Sequence, residues 1–520
     1  WLCASAFFSL LMALVPAGQV IAVGWLSGPA STPVARGVAV VALGLLVGVG
    51  QVAGQLSTTI DENVALRVDA TLLDRLTHGV ARLSPHELAK ADTITDIHGC
   101  REDSSAIASY GTSVLDATRA LVTAGALCAA VWRINPLAGV FVALALVPML
   151  VSYSTSANLQ DALWPRLKEY MRRSNYAADQ LVDQRTGLEL ATLGSGDAVA
   201  EMAVHHRQAA NAIKMNLYWR MFRANLAAAV GTAAMLIGAL ICLLGSPDGP
   251  GSAAAGVVAV IAGLQATRSA GSALGHLITG APMVHRFATV VSSMQSIGRQ
   301  IVNRDVASIE ARSIVVHYPG MSRPAVAGAS LQARRGDMIA LVGVNGAGKT
   351  SMINALLGVA QKCEGTVLIN GADAARMDPP ERLGHFGLLT QEFGRYEWTV
   401  RQSVALGTPG TAPSDQALWQ ALRASKMDSV ISRLPQGLDA QLGQQWGGVG
   451  LSGGQWQRLA LARICLRQAG IWVLDEPTSA IDAEAEEEIF DELYATKAER
   501  ITIVVSHRAW TLRRMDRIYV

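Results

Sequence analysis

The sequence predicts two architectures in series: an α-helical transmembrane bundle of six long helices with cytoplasmic extensions, then an α/β domain on a largely parallel sheet. Three observations predict it. Apolar stretches long enough to cross a bilayer recur through residues 1–300. The connectors between them alternate between short and long. Beyond residue 300 the apolar segments shrink to strand length, and one runs straight into the glycine-rich loop Gly343–Thr350. A chain of 520 residues accommodates two or three domains, and the predicted boundaries are 1–300 and 301–520.

Crossing a bilayer takes about 20 apolar residues. Six segments qualify, near 2–26, 34–56, 113–132, 136–155, 224–245 and 253–275. Short connectors (Ser27–Pro33, Arg133–Asn135 and Ser246–Ser252) alternate with the long, charged, helical stretches 57–112 and 156–223. Arg67, Arg75, Arg82, Lys90, Arg166, Lys168, Arg172, Arg173 and Lys214 all fall in the long stretches. The positive-inside rule therefore places those stretches in the cytoplasm. The first segment reads as a membrane helix, because no small-residue cleavage pattern closes it. The true N-terminus is expected to precede Trp1.

Composition excludes some partners and chemistries. The mean hydropathy is +0.29 with 51% hydrophobic residues, high for a soluble protein. Residues 1–300 hold 20 Lys plus Arg against 18 Asp plus Glu, and the remainder holds 23 of each. Neither half carries the basic excess expected of a nucleic-acid binder. Cys3, Cys100, Cys128, Cys242, Cys363 and Cys465 are widely scattered, which argues for single packed thiols rather than disulfides or a zinc site.

The second half reads as α/β. Ile309–Tyr318 alternates like a strand, Met338–Val342 is a buried strand feeding the glycine loop, and Ser351–Gly358 is the following helix. Ile471–Leu474 and Ile501–Val505 are two further apolar strands. Ligand sites in such sheets lie at the strand ends.

The glycine loop has a mechanism. Its backbone N–H groups surround phosphates, and the next helix points its positive end at them. Asn345, Gly346, Ala347 and Gly348 form the cradle. Lys349 reaches the β- and γ-phosphates, Thr350 ligates Mg²⁺ and Ser351 adds a hydroxyl. Asp475 closes an apolar strand, where a carboxylate holds the Mg²⁺ shell. Glu476 beside it is placed to take a proton from attacking water.

The order of three motifs then carries a resemblance. Gly343–Thr350, Leu451-Ser-Gly-Gly-Gln455 and Ile471-Trp-Val-Leu-Asp-Glu476 together resemble the nucleotide-binding domain of the ATP-binding-cassette (ABC) family. The whole chain resembles an exporter-type half-transporter, specifically over Gly343–His507 and more loosely over 1–300. The resemblance implies that Tyr318 stacks on adenine and that Gln391 touches Mg²⁺ and senses the membrane domain. It implies that Ser452, Gly453, Gly454 and Gln455 contact ATP held by the opposite subunit. Asp482 matches the crossover loop and His507 the switch histidine at the γ-phosphate. It also implies that the chain continues past Val520. A loop that completes a neighbour's site requires two such domains, so the expected partner is a second half-transporter, the same chain or a related one.

Two departures stand out. Trp456 occupies a position where Arg or Lys is common, and Leu442–Gly450 lacks the acidic residue usual before the signature. In the family that stretch communicates with the membrane domain. Transverse helices at the tips of the extensions are expected near Lys90–Asp96 and Thr186–Leu193. Phe393, Tyr396 and Trp398 are candidates for receiving them, or ordinary packing residues. Gln19, Gln265 and Arg268 lie within apolar spans, where burying polar groups is costly. Arg268 would favour an acidic or phosphate-bearing cargo, although snorkelling to the interface or pairing with a neighbouring helix is the stronger reading.

The resulting expectation is an ATPase coupled to transport across the cell membrane, with ATP and Mg²⁺ as cofactors, the bilayer as a partner and an unidentified cargo. An importer with the exporter fold and an ATP-gated regulatory membrane protein are the alternatives. A soluble DNA-repair ATPase fits the motifs but not the six spans.

Overall fold

A helix of 48 residues, Pro33–Val80, is about 72 Å long at 1.5 Å per residue, more than twice the roughly 30 Å hydrocarbon core of a bilayer. The computed structural model describes the chain except residues 1, 28–32, 89, 245–249, 295–301, 319, 361, 409, 411, 479–480, 482 and 507. It divides into two compact units: Trp1–His78 with Asp96–Ser292, and Gly79–Thr95 with Ser293–Val520.

The helices run α1 (Leu2–Ser27), α2 (Pro33–Val80), α3 (Pro85–Leu88), α4 (Ala91–Glu102), α5 (Ser104–Ala108), α6 (Tyr110–Ile134), α7 (Pro136–Leu144), α8 (Leu146–Val182), α9 (Gln184–Leu193), α10 (Gly196–Leu244) and α11 (Pro250–Met294). Among the described residues, Ser5–Val23, Arg36–Val80, Tyr110–Arg133, Pro136–Gln160 and Gly196–Leu243 are long and apolar enough to cross a membrane. These coincide with the first five predicted spans. The sixth lies in α11, where the side chains of 251–259 fall outside the described residues. The predicted 136–155 span is interrupted at Ala145, between α7 and α8.

Small residues and buried hydroxyls let these helices approach. Gly231 lies under Pro148 and Gly238 under the Phe141 ring, while Ser152 Oγ donates to Asn225 Oδ1 at 2.8 Å. Further along the same pair, Ser174 Oγ donates to the Ala203 carbonyl at 2.9 Å. The contacts 148–231, 152–225 and 174–203 make α8 and α10 antiparallel over most of their length. Close packing of this sort replaces the hydrophobic drive that lipid does not supply. Leu127, Val131, Val142, Leu236, Leu243 and Val260 form the buried centre. By contrast α2 exposes Val38, Val41, Leu45, Val49 and Val52 on several sides, as a lipid-facing helix does. The expected Arg133–Asn135 connector shortens to Asn135 alone, extended between α6 and α7: its Oδ1 accepts from Leu137 N and Ala138 N, and Pro136 starts α7.

The second unit contains two sheets. β1 (Ser308–His317), β2 (Val326–Arg334), β4 (Lys362–Ile369) and β5 (Ala372–Asp373) form an antiparallel sheet in the order β2-β1-β4-β5. β3 (Met338–Leu341), β6 (Phe386–Leu389), β7 (Ile471–Asp475), β8 (Ile501–Val505) and β9 (Arg517–Tyr519) form a fully parallel sheet in the order β6-β7-β8-β3-β9. The predicted strands at 309–318, 338–342, 471–474 and 501–505 are all present, within a residue at each end. The continuous apolar sequences of β7 and β8 follow from burial on both faces. One core joins the two sheets through the Lys349–Leu357 helix. A second fills a helical region around Val404, Leu418, Leu422 and Leu459.

Candidate nucleotide site

The site begins where β3 stops. All four residues of β3 are buried, so the chain leaves the sheet at a fixed point and turns through Val342–Gly348. Gly346 and Gly348 hold φ of 82° and 90°, a region that side chains disfavour. At Gly348 an added Cβ would also collide with the Ala325 carbonyl oxygen, so only glycine fits. Gly348 is the N-cap of the Lys349–Leu357 helix, and the first-turn N–H groups of that helix therefore open onto the loop. Lys349 folds back over it, its Nζ donating to the Gly343 carbonyl at 2.7 Å and the Val344 carbonyl at 3.1 Å. Asn345, Gly346, Ala347 and Thr350 are exposed around this cradle.

Tyr318 is half-buried against the core below the cradle, and Ser351 Oγ donates to its hydroxyl at 3.3 Å. The ring is thus fixed beside the phosphate-loop helix. Ser351 itself is buried.

β7 delivers the acidic pair. Asp475 is only 8% exposed at the end of that strand. Glu476 follows with φ of 48°, strained for a side chain with a Cβ. Its N–H donates to the Val505 carbonyl at 3.1 Å, and its carbonyl accepts from Gln457 Nε2 at 2.9 Å. Those two anchors hold the carboxylate side chain towards Gln391, whose Nε2 lies 3.5 Å from Glu476 Oε2. The structure therefore sets the glycine loop, Gln391 and the pair Asp475–Glu476 at the C-terminal ends of the parallel strands β3, β6 and β7, with Tyr318 and Ser351 paired beside the loop. Asp482 and His507 lie outside the described residues.

The signature Leu451–Gln455 has a local structural logic. Ser452 is the N-cap of the Gly453–Arg467 helix, and its Oγ accepts from Gln455 N while Gln455 Oε1 accepts from Ser452 N at 2.9 Å. This is a capping box. It satisfies the ends of both side chains and leaves the N–H groups of Gly453 and Gly454 at the open helix terminus. Among the described residues, Ser452, Gly453 and Gly454 make no hydrogen bond to the glycine loop of their own chain.

Several contributors carried no sequence signal. Glu486 stands in the run Ala-Glu-Ala-Glu-Glu-Glu, which reads as a solvated helix face. It is fully buried, accepts from Thr478 Oγ1 at 2.6 Å and pairs with Arg508. It thereby ties the segment after Glu476 to the segment after β8. Gln457 is 1% exposed, two residues beyond the signature, and no periodicity marks it. Trp456 departs from the usual cation because it is 5% exposed in the helical core, where a charge would be unfavourable.

A carboxylate from another segment packs against Leu442–Gly450, which has no acid of its own. Glu397 accepts from the Gln445 side-chain amide, and its own carbonyl accepts from Gln441 Nε2 at 2.8 Å. Gly443, with φ of 90°, leaves the space that this carboxylate occupies. Nearby, Tyr396 and Trp398 stack at 5.2 Å and are 39% and 48% exposed, whereas Phe393 packs into the core. Arg463 lies 4.8 Å from the Tyr396 ring, and burial pushes its guanidinium down to about 10. A helix, α9, covers the stretch 186–193 where a transverse helix was expected, and α4 starts at Ala91 within the expected 90–96, a stretch that clusters up to Thr95 with the second unit. Gln19 is half-buried on α1 and Gln265 is exposed on α11. The Arg268 side chain lies outside the described residues.

Residues 326–479 match the family model described as "ABC transporter". Those residues of the second unit form an ABC transporter domain. An ATP-dependent lipid A-core flippase of Methylobacillus flagellatus is 35% identical over 246 residues, 47% of this chain and 42% of that one. The mycobactin import ATP-binding/permease protein IrtB of Mycobacterium tuberculosis is 35% identical over 213 residues, 41% of this chain and 36% of that one. The matched region thus spans about two-fifths of the length of these curated relatives. Over the whole chain, a bacterial Atm1-family ABC exporter with ATP bound superposes with a TM-score of 0.81 at 20% identity, covering 98% of this chain and 92% of that one. The chain therefore has the ABC exporter fold: a helical membrane-type unit followed by one nucleotide-binding unit.

Proposed function

We propose that the chain is one half of an ATP-driven transporter, with functional domains at 1–300 and 301–520, and that two such halves work together in a membrane. One observation carries this reading. The glycine loop with Lys349 leaves β3, and Asp475 and Glu476 leave β7, at the same end of one parallel sheet, with Gln391 against Glu476, in a chain whose described residues include five helices able to span a bilayer. In this reading the N–H groups of Gly346–Lys349 bind the triphosphate, Lys349 adds charge and Tyr318 supports the base. Thr350, Asp475 and Gln391 offer only oxygen donors for a metal, a set that suits a small hard dication such as Mg²⁺. When bound, Mg²⁺ neutralises charge on the phosphates. Glu476 Oε2 accepts a proton from the attacking water, and the Gln391 amide orients that carboxylate.

The signature turn, capped and free of its own glycine loop, suits contact with nucleotide held by a second copy or a related chain. Asp482 and His507 belong to this machinery through the family resemblance. The long helical extensions and the ABC domain are assigned to the cytoplasmic side. One relative is named an importer and another a flippase, so export is proposed on architecture and import is the second reading. The test is Glu476→Gln in the reconstituted full chain. ATP binding is expected to persist while phosphate release falls by about 10²–10⁴-fold. Unchanged turnover would overturn the assignment of the base.

A further inference from the structure

Between α6, α8, α10 and α11 lies a cavity of about 830 Å³, within the roughly 300–1,000 Å³ of ligand-binding cavities. Four of its polar residues share one level. Asp116, Tyr153, Asn225 and Ser269 each stand about 18 residues, or about 27 Å, from the outer connector of their helix. That is close to the full hydrocarbon thickness of about 30 Å. The ring therefore sits at the inner boundary of the bilayer, on the side of the helical extensions. Leu236, on the same cavity wall, lies deeper.

Asp116 and Arg119 face this space as an ion pair at 2.9 Å, with side chains 42% and 32% exposed. His276 lines the same cavity. A pair three residues apart stabilises its own helix by only about 0.2–0.5 kcal/mol. Helix stability is therefore a poor reason for the pair to be there. The wall opposite is built with care: α11 carries Gly271 and Gly275, and the Tyr153 ring lies directly over Gly275, in space that any side chain would fill. Tyr153 is thereby held in the lining of the cavity that the charged pair faces.

We propose that this cavity binds a zwitterion, a cargo with an ammonium and an acidic group a few ångströms apart and an apolar remainder. The proposal rests on the transporter reading and names the class of molecule carried. Ammonium to Asp116 and acid to Arg119 and His276 exchanges one ion pair for two, so no charge is left uncompensated. Asn225 and the Ser269 hydroxyl serve the polar middle of the cargo, and its apolar part rests against Leu236. Short peptides with free termini and aminophospholipid headgroups share this chemistry.

The experiment uses the full chain in phosphatidylglycerol vesicles, with two readouts: stimulation of ATPase over each variant's own basal rate, and thermal stabilisation. The probes are an uncharged tripeptide with free termini, its N-acetylated and C-amidated forms, and phosphatidylethanolamine added to the vesicles. The free tripeptide is expected to stimulate at least about threefold, with either blocked form needing about tenfold more. Asp116→Asn and Arg119→Gln are expected to abolish that discrimination. Exchanging the two charges (Asp116→Arg with Arg119→Asp) is expected to restore it, which separates recognition from misfolding. Stimulation by phosphatidylethanolamine that Asp116→Asn removes supports the same chemistry with a lipid source. Neither stimulation nor stabilisation by any zwitterion, or a response unaltered in both single variants, would overturn the proposal. Absence of ATPase in the unsubstituted chain would instead defeat the transporter reading, and the stabilisation readout would still decide the cavity.

Discussion

The glycine loop and the cavity of the helical unit hold their polar groups in place by different means. In the loop, position comes from backbone within a few residues: a strand end, two glycines at positive φ and a helix start. In the cavity, Asp116, Tyr153, Asn225 and His276 come from four helices separated by long stretches of chain, and nothing but helix packing brings them together. The loop is therefore sensitive to single atoms on the main chain. The cavity is sensitive to how four cylinders pack, and it tolerates side-chain change as long as that packing survives.

Substitutions can break or sharpen that contrast. The largest effect is expected from Arg508→Ala, which leaves the carboxylate of Glu486 buried without its cation. It should destabilise the ABC domain by about 3 kcal/mol, read as a lower midpoint of urea unfolding. No shift would mean that the pair is an ornament of the fold. Lys349→Ala removes the ammonium folded over the loop and is expected to weaken ATP binding by roughly 100-fold, measured by titration with a fluorescent nucleotide. Gly348→Ala removes no chemical group, yet the Cβ meets the Ala325 carbonyl at a φ of 90°. Strain of about 1–3 kcal/mol should distort the cradle and abolish measurable hydrolysis. If activity survives, backbone geometry does not control the site.

Gly275→Ala is the matching change in the helical unit. It should displace Tyr153 and cost about 1–3 kcal/mol through overpacking, lowering the melting temperature while ATP affinity stays within about twofold. Ser452→Ala is expected to be the mildest, costing about 1 kcal/mol through the lost cap. An effect on hydrolysis much larger than that would show the hydroxyl acting beyond its own helix.

The same contrast explains what could be read in the sequence. The loop, the acidic pair and β3, β7 and β8 were legible, because a phosphate cradle needs glycine, lysine and a buried strand at fixed spacing. The first five spans were legible from apolar length alone. Gln391 and Tyr318 entered only through the family resemblance, since neither has a spacing rule of its own. Glu486, Gln457 and Glu397 were not legible: each acts through a partner distant in sequence, and each stands among residues of ordinary surface composition. The cavity was missed for the same reason. Polar residues were sought in the middle of apolar spans, which pointed to Gln19, Gln265 and Arg268, whereas Asp116 and Arg119 stand near a helix start and look like boundary charges.

The account turns on nucleotide held between two ABC domains, the signature of one against the glycine loop of the other. Cysteine cross-linking tests that most directly, with Ser452→Cys and Ala347→Cys introduced together into the Glu476→Gln chain. With ATP, the account predicts a disulfide between two chains, lost when ATP is omitted or when Lys349→Ala is added. A chain that hydrolyses ATP as a monomer, with no ATP-dependent link between copies, would contradict it.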